Sequence, residues 1–437
     1  MKRLWICLLA FALLTGCGDS GDIAVTTVYE TDDPPRTALT TEWETYDPSV
    51  ETVWCILSYE GEGESLEYGA PYWLDVREAD GSWTQVPLAE NAGWDAMLYT
   101  LPSGEKQAFP CILSLFDYDF SGGGTFRVIK EIGEYTAAAE FTLTKGAVIS
   151  AETPYGFGPM EEVPEYGDPA ELSAGGAVVF TEAGTENADA AEIFLEKVSL
   201  GIPCQLRTLQ NYYESWPMLI DVIYDGRGFL WRMRTGGEIT EKRFSYIVTD
   251  GTDVYLSNGA DWESTEQYDS EKAFLLPSGS GSFLVPAAEA MTDDRLAENT
   301  ARYRIWSGDG MRAASLTEDP AEFSVIRCDP ESGTWSRSWT IRELDDRATA
   351  VRDLSWLESG ALLHITYETE SFFFARMKSK IFPSPLTTTG QFRIGTASSS
   401  GMSGHIEFRY NHNVSRSCIG NNIFNILLRI ESSRCRR

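Results

Sequence analysis

One short motif near the N-terminus brings together the residue types for a defined covalent chemistry. Leu14-Thr15-Gly16-Cys17 is an apolar residue, two small residues and a cysteine. This is the pattern of a bacterial lipobox: the thiol receives a diacylglycerol group, and the small residues let the backbone enter the peptidase that cuts before the cysteine. We therefore expect Cys17 to be lipidated and to begin the mature chain.

The residues before this motif read as a lipoprotein signal peptide over residues 1–16. Lys2 and Arg3 form its basic start, and the apolar run 4–14 is too short for a bilayer span of about 20 residues. An ordinary secretory signal that happens to contain a cysteine is the alternative. Palmitate-like acyl chains contribute about 0.8 kcal/mol per buried methylene, so lipid on Cys17 would hold the protein on the extracytoplasmic face of the cell membrane.

The composition indicates a folded, strongly acidic protein. Of its 437 residues 43% are hydrophobic, which suffices for two or three domains with their own cores. The net charge of −31 argues against a nucleic-acid partner, because phosphates would be repelled. Histidine occurs only at His364, His405 and His412, so most of the chain lacks the residue that hydrolytic triads and most zinc sites use.

The remaining cysteines offer one pair worth testing. No CxxC motif occurs, which disfavours a zinc ribbon or a thioredoxin-like site. Cys55 and Cys111 lie on two apolar strands, and a disulfide between them would close a loop of more than 50 residues, adding about 4 kcal/mol in the chain-entropy model. The alternative is two buried free thiols that pack as small apolar side chains.

The elements that follow the anchor are predicted to be β-strands over residues 26–145. Turn signals recur about every ten residues without a long helix, which is typical of a β-sandwich. The stretch "APYWLDVREADGSWTQVPLA" (70–89) reads as two strands joined at Ala79-Asp80-Gly81.

Four stretches of this region carry a family resemblance. They are "YGAPYWLDVREADGSWTQVP" (68–87), "LPSGEKQAF" (101–109), "GGTFRVIKEI" (123–132) and "EFTLT" (140–144). In this order they resemble the bacterial Ig-like domain of Gram-positive surface lipoproteins, over about residues 30–145. Phe126 replaces the usual Tyr and Ser103 splits the usual Pro-Gly turn. The resemblance implies a sandwich fold and a surface location, and it brings no catalytic residues.

Residues 146–176 are rich in Pro, Gly and acidic residues and read as a linker. An α+β domain is predicted over 177–280, with one helix at 187–201 on an antiparallel sheet. Asn187 or Asp189 is its expected N-cap, and Gly201 its stop. Within it, residues 194–233 resemble an uncharacterised domain of Gram-positive lipoproteins.

The C-terminal part changes character. Residues 283–374 read as a further β-rich region. This region would be truncated if the tail 375–437 is out of frame. Residues 376–437 contain ten Lys or Arg, two Glu and no Asp or Trp, a balance of +8. This tail is either a basic arm for an anionic cell-wall polymer or out-of-frame translation, and in either case no folded domain is predicted for it.

The sequence as a whole predicts a mostly β fold: an Ig-like sandwich, then an α+β domain, then a further β-rich region. Its expected role is binding without catalysis, with the membrane as one partner through Cys17 and an unknown envelope protein or cell-wall polymer as the other. The alternatives are a surface hydrolase that uses paired carboxylates and an accessory lipoprotein that senses envelope ligands. No catalytic residue, metal ligand or cofactor is predicted; the Asp- and Asn-rich stretch 250–263 lacks the ligand spacing of an EF-hand and reads as a solvated hairpin.

Overall fold

The structure is a computed structural model with a mostly β fold, as predicted. The chain divides into two compact units, Met1–Arg304 and Ile305–Arg437. The predicted signal peptide, Cys17 and most of the predicted tail lie outside the residues that the structure describes. Those residues are 26–28, 37–61, 65–133, 135–164, 167–211, 216–251, 253–268, 272–276, 301–317, 323–328, 335–340, 348–357, 362–369, 376–383 and 397–398.

The first strands form an N-terminal sandwich. They are β1 (Thr26–Val28), β2 (Thr37–Thr41), β3 (Thr45–Tyr46), β4 (Thr52–Tyr59), β5 (Leu66–Gly69), β6 (Trp73–Arg77), β7 (Trp83–Gln85), β8 (Leu98–Leu101), β9 (Lys106–Ile112), β10 (Gly124–Ile132) and β11 (Tyr135–Leu143), with 3-10 turns at Leu113–Leu115 and Phe120–Gly122. One sheet has the order β1-β11-β10-β6-β7, with β3 parallel to β11. The facing sheet of the sandwich has the order β2-β4-β9, and β5 pairs with β8 as a two-stranded ribbon.

Alternation along the strands builds the core of this sandwich. In β4, every second side chain from Val53 to Tyr59 is buried and the others are partly exposed. Successive side chains of a strand point to opposite faces, so one face of β4 supplies the core. The predicted hairpin joins β6 to β7, and Gly81 takes the left-handed conformation (φ 86°) that this tight turn requires.

A six-stranded sheet follows the sandwich, and we call it the second sheet. Its elements are α1 (Pro169–Ala174), β12 (Val178–Thr181), β13 (Gly184–Glu186), α2 (Ala188–Ser199), β14 (Cys204–Gln210), β15 (Met218–Tyr224), β16 (Phe229–Thr235) and β17 (Glu238–Phe244), and the strand order is β13-β12-β14-β15-β16-β17. The prediction of one helix on an antiparallel sheet is confirmed, with one departure. β12 and β14 are parallel, because α2 returns the chain to the end of the sheet where β12 began.

Helix α2 packs Phe194, Leu195 and Val198 against this sheet. Gly201, at φ 72°, directly follows its last turn, as predicted. The expected capping by Asn187 is wrong in its detail: the residue occupies the N-cap position, but its side chain does not cap the helix. Its Nδ2 donates instead to the carbonyl oxygens of Ser173 and Ala177, 2.5 and 3.0 Å away, and so ties the helix start to the preceding segment.

The predicted linker is bound to the second sheet over residues 157–164, which we call the strap. The strap contains a 3-10 turn, Met160–Glu162, and the Met160 side chain is fully buried against Leu209 and Leu219. Arg234 of β16 donates to the carbonyl oxygens of Met160, Val163 and Pro164 at 2.6–3.0 Å. The strap therefore covers one face of the sheet while α2 covers the other.

The rest of the first unit contains a small sheet, β18 (Tyr246–Thr249), β19 (Val254–Ser257) and β20 (Ala273–Leu276), with α3 (Trp262–Tyr268). Two four-stranded sheets follow along the chain, and the boundary between the two units falls within the first strand of these sheets. They are β21 (Ala301–Trp306), β22 (Arg312–Thr317), β23 (Phe323–Cys328) and β24 (Trp335–Thr340), then β25 (Ala348–Leu357), β26 (Leu362–Thr369), β27 (Arg376–Pro383) and β28 (Ala397–Ser398).

Strand β27 lies within the predicted basic tail. It pairs antiparallel with β26 along its whole length, from Arg376↔Thr369 to Pro383↔Leu362. The expectation that no folded structure begins after residue 374 is therefore corrected for these eight residues, whose backbone groups complete a sheet ladder.

Within the first unit, the N-terminal sandwich contacts helix α2 through a buried ion pair. Lys197 Nζ lies 2.9 Å from Glu42 Oε1 and 4.0 Å from the centre of the Trp43 ring. Burial raises the pKa of the Glu42 carboxyl, and Lys197 acts against that shift. The last turn of a helix favours a cation, so Lys197 suits both its helix and its partner.

Candidate functional site

The candidate site is an open groove on the N-terminal sandwich, where the ribbon β5–β8 meets the end of β10. Its volume is about 810 Å³. We call it the ribbon groove, and it is lined by Ser65, Leu66, Glu67, Tyr68, Gly69, Leu98, Glu131 and Gly133.

The register of the ribbon sorts its side chains into two faces. Glu67 lies opposite Thr100, and Gly69 lies opposite Leu98. Residues directly opposite in an antiparallel pair share a face, so Glu67 and Leu98 point to the same, outer side. On the other side Tyr68 and Leu101 are buried in the sandwich core. The ribbon thus presents an acid and an apolar side chain outward from a fixed base.

Lys130 fixes the end of β5 from below. Its side chain points into the sandwich, because it is in phase with the buried Phe126 and Val128 of β10. Its ammonium donates to the carbonyl oxygens of Gly69, Ala70 and Pro71 at 2.7, 2.9 and 3.0 Å. All three ammonium protons thereby have acceptors, which is the condition for burying such a group.

Burial lowers the pKa of Lys130 to about 8, because the charged form loses hydration that the carbonyl dipoles only partly replace. The ammonium also lies 5.1 Å from the centre of the Tyr68 ring and 4.8 Å from that of Phe109. The next residue along β10, Glu131, points the opposite way, out into the groove. One strand therefore supplies both the support of the ribbon and one wall of the groove.

Aromatic contacts hold the two ribbon strands in place. Tyr68 and Tyr99 stack with their ring centres 5.4 Å apart. The Tyr68 hydroxyl donates to Gln107 Oε1 at 2.5 Å, and Gln107 Nε2 donates to the Thr100 carbonyl at 2.8 Å. These contacts hold the backbone of both ribbon strands, so the wall that the ribbon forms is in place before a ligand binds.

The outer surface of the groove is acidic and partly apolar. Within the part of the chain that the structure describes, no three His, Cys, Asp or Glu side chains are grouped as metal ligands. Glu67 and Glu131 are both exposed, and Leu98 is 62% exposed beside them. Such a surface offers hydrogen-bond acceptors, negative charge and apolar contact.

The comparison with protein families decides the nature of this sandwich. Residues 33–142 match the family model of the bacterial Ig-like domain. This N-terminal part of the chain is a bacterial Ig-like domain. The match covers the ribbon, the strands from β2 to most of β11 and every residue of the groove. The Ig-like part of the predicted resemblance is confirmed for this domain.

The other comparisons add no argument about function. No curated protein matches the chain. Among solved structures, the sporulation control protein Spo0M of Bacillus subtilis is similar at 10% identity and a TM-score of 0.16, covering 48% of this chain and 89% of that one. A protein from Lactobacillus plantarum is similar at 8% identity and a TM-score of 0.17, covering 79% and 81%. Scores this low do not establish a shared fold.

A second cluster of charges lies on the strap-covered face of the second sheet. Arg207 and Asp221 face each other on β14 and β15, with two bonds of 2.7 Å between guanidinium and carboxylate. Arg207 also donates to the Gly158 carbonyl at 2.8 Å. Arg232, opposite Asp221 on β16, binds Glu241 and Glu161. Each of these side chains has an ion-pair or hydrogen-bond partner, and this row of charges binds the strap to the second sheet.

The predicted site cysteines fall in two classes. Cys17 lies outside the described residues, so its lipidation stays a prediction. Cys55 and Cys111 lie on the neighbouring strands β4 and β9, as a disulfide would need, and both are buried free thiols in the structure. Val53, not Cys55, is opposite Cys111. The cysteines are therefore diagonal neighbours, about 7–8 Å apart, which exceeds the usual Cα separation of a disulfide, ~4.4–6.8 Å.

The state of these thiols can be read by alkylation. Burial raises the pKa of both Cys55 and Cys111, so we expect neither to react with iodoacetamide in the folded protein. After denaturation without reductant, both should become labelled. Recovery of a cross-linked peptide that contains both residues would instead establish the disulfide.

The Asp- and Asn-rich stretch and two tryptophans of the Ig-like domain have structural roles. Asp250 accepts from the Asp253 backbone N–H at 2.8 Å, which closes the turn of the predicted hairpin. Trp94 packs on Tyr72 of the Ig-like core at 4.3 Å between ring centres, and Trp83 lies 4.5 Å from the guanidinium of Arg127.

The sequence analysis did not single out the residues that build the ribbon groove. Glu67, Leu98 and Glu131 come from three separate strands, and nothing in their spacing indicates that they meet. The one available signal was Lys130, a lysine in phase with buried apolar residues of β10. A charged residue at a core position indicates a specific polar partner nearby.

Proposed function

We propose that the protein is a lipid-anchored binding protein on the extracytoplasmic face of the cell membrane, with no catalytic role. The Ig-like domain carries this proposal, because it presents a preformed acidic and apolar groove on a sandwich scaffold. The lipobox at residues 14–17 supports the anchor. Within the described residues no helix is long and apolar enough to cross a membrane.

The position of the domain fits an anchored receptor. The first strand of the sandwich, β1, begins at Thr26, nine residues after Cys17. Fully extended, such a connection reaches about 30 Å. The groove would then lie within reach of proteins near the membrane surface.

The acidic balance favours a protein partner in the envelope over an anionic cell-wall polymer. At a net charge of −31, the chain as a whole would repel a polyanion. A protein that presents basic side chains would be attracted to the same surface. The partner class that we propose is therefore an envelope protein.

The anchor is tested by a substitution at the lipobox. In cells given labelled palmitate, we expect the wild-type chain to carry label and to sediment with membranes. The variant Cys17→Ser should lose the label completely, because no thiol remains to accept the lipid. Cys7→Ser is the matched control, since that cysteine lies within the predicted signal peptide and the mature protein should keep its label.

Topology is read in the same cells after the wall is removed. Added protease should digest the anchored protein without lysis of the cells. An unlabelled wild-type chain, or label that persists in Cys17→Ser, would contradict the proposed anchor.

A further inference from the structure

The ribbon groove has one large exposed apolar side chain on its acidic face. Leu98 is 62% exposed and lies on the same face of the ribbon as Glu67. Its neighbour Tyr99 points to the opposite face, where it stacks on Tyr68. Leu98 begins β8, whose only strand partner among the described residues is β5.

The charge of the groove is one-sided. Two glutamates, Glu67 and Glu131, line it from different strands. None of the described residues that line it is Lys or Arg, and Lys130, next to Glu131 on β10, is turned inward onto backbone carbonyls. A ligand in the groove therefore meets carboxylates without a compensating cation, which favours a basic occupant.

The walls of the groove are fixed by the fold. The groove is open to solvent, and its walls are a two-stranded ribbon on one side and the β10–β11 turn on the other. Tyr68 and Lys130 hold the ribbon through the contacts described above. A preformed wall lowers the entropic cost of ordering a peptide against it.

We propose that the ribbon groove binds an extended, basic peptide segment of a partner protein. Lys or Arg side chains of the segment pair with Glu67 and Glu131, and an apolar side chain of the segment covers Leu98. This inference rests on the proposed binding function and names its partner class and its site. An extended segment suits this surface, because every second side chain of an extended chain lies on one face and can meet both the glutamates and Leu98.

The test uses two synthetic peptides and the full chain in detergent micelles. One peptide repeats Lys-Ser-Val-Ser, which places Lys and Val on one face of the extended chain, and its matched control repeats Glu-Ser-Val-Ser. At low ionic strength we expect the Lys peptide to bind at least about tenfold more tightly than the Glu peptide, and added salt to reduce this difference. Binding is measured by fluorescence anisotropy of labelled peptide.

Variants locate the binding. Glu67→Gln combined with Glu131→Gln should weaken binding of the Lys peptide about tenfold, the effect of two exposed ion pairs. Leu98→Ser should weaken it about fivefold through lost apolar contact. Val148→Ser, at an exposed apolar residue away from the groove, should leave the affinity unchanged.

Three results would overturn the inference: equal affinity for both peptides, no binding, or wild-type affinity in the groove variants. Spermidine is the small-cation probe, and binding of spermidine as tight as that of the Lys peptide would also overturn it. These outcomes are independent of palmitate labelling and protease access. A failed groove is thereby distinguished from a failed anchor.

Discussion

Replacing Asp221 by Ala is expected to lower the free energy of unfolding of the second sheet by about 3–5 kcal/mol, because the guanidinium of Arg207 stays buried without its carboxylate. Both side chains are at most 5% exposed, and the two bonds between them are 2.7 Å long. Urea unfolding, with the strands β14 and β15 followed by hydrogen exchange and mass spectrometry, measures the loss.

The same row of charges supplies the matched control. Glu241 pairs with Arg232 near the edge of the sheet, but its side chain is 52% exposed. Glu241→Ala should therefore cost less than about 1 kcal/mol. The double variant Arg207→Leu with Asp221→Leu should recover most of the loss, since removing a buried pair entirely avoids an isolated charge. A cost for Asp221→Ala no larger than that for Glu241→Ala would show that the buried pair is not a main contact of the sheet.

Replacing Lys130 by Met is expected to destabilise the Ig-like domain by about 2–4 kcal/mol at neutral pH, because three carbonyl oxygens lose their charged donor while the apolar stem is kept. The loss of the donor also frees the end of β5. Binding of the Lys peptide to the ribbon groove should weaken in parallel.

The contribution of Lys130 should also depend on pH, with a defined sign. Its pKa is lowered from 10.5 to about 8 in the folded protein. Between these values the unfolded chain binds more protons than the folded one, so the contribution of Lys130 to stability rises with pH. Below pH 8 the amine is protonated in both states and the contribution is at its lowest.

The measurement is the difference in free energy of unfolding between wild type and Lys130→Met, taken at several pH values from neutral to about 10.5. Subtracting the variant cancels the raised pKa values of buried tyrosines and cysteines, which lower stability in alkali. Lys145→Met, at an exposed lysine, should change stability by less than about 0.5 kcal/mol. A wild-type minus Lys130→Met difference that stays flat over this range would refute the assignment.

Local pattern was sufficient for much of the fold. The β-branched and aromatic residues of β4 predict a strand, Asp80-Gly81 predicts the hairpin, and Gly201 predicts the end of α2. Each of these signals acts over a few residues, where backbone geometry and side-chain period decide the outcome. The parallel pairing of β12 with β14 depends on how α2 returns the chain, which no short stretch encodes.

The candidate site required the tertiary structure. Glu67 and Glu131 are separated by 64 positions and line the same groove, where the Gly133 N–H donates to the Glu67 carbonyl at 2.9 Å. Likewise, nothing in the separate strands β14 and β15 indicates that Arg207 and Asp221 lie face to face, because their pairing depends on the register. The expectation of binding without catalysis stays a prediction, and the sequence gives no position for a binding site.

The strap also bears on how the chain resists degradation. Proline- and glycine-rich connections between domains are usual sites of proteolytic nicking, and a protease cleft accepts its substrate as an extended backbone. Between Gly158 and Pro164 this backbone is held by Arg207 and Arg234 and by the buried Met160 side chain. Cleavage there would first require the strap to detach, so in an environment rich in extracellular proteases the sequence that looks most vulnerable is protected by two arginines.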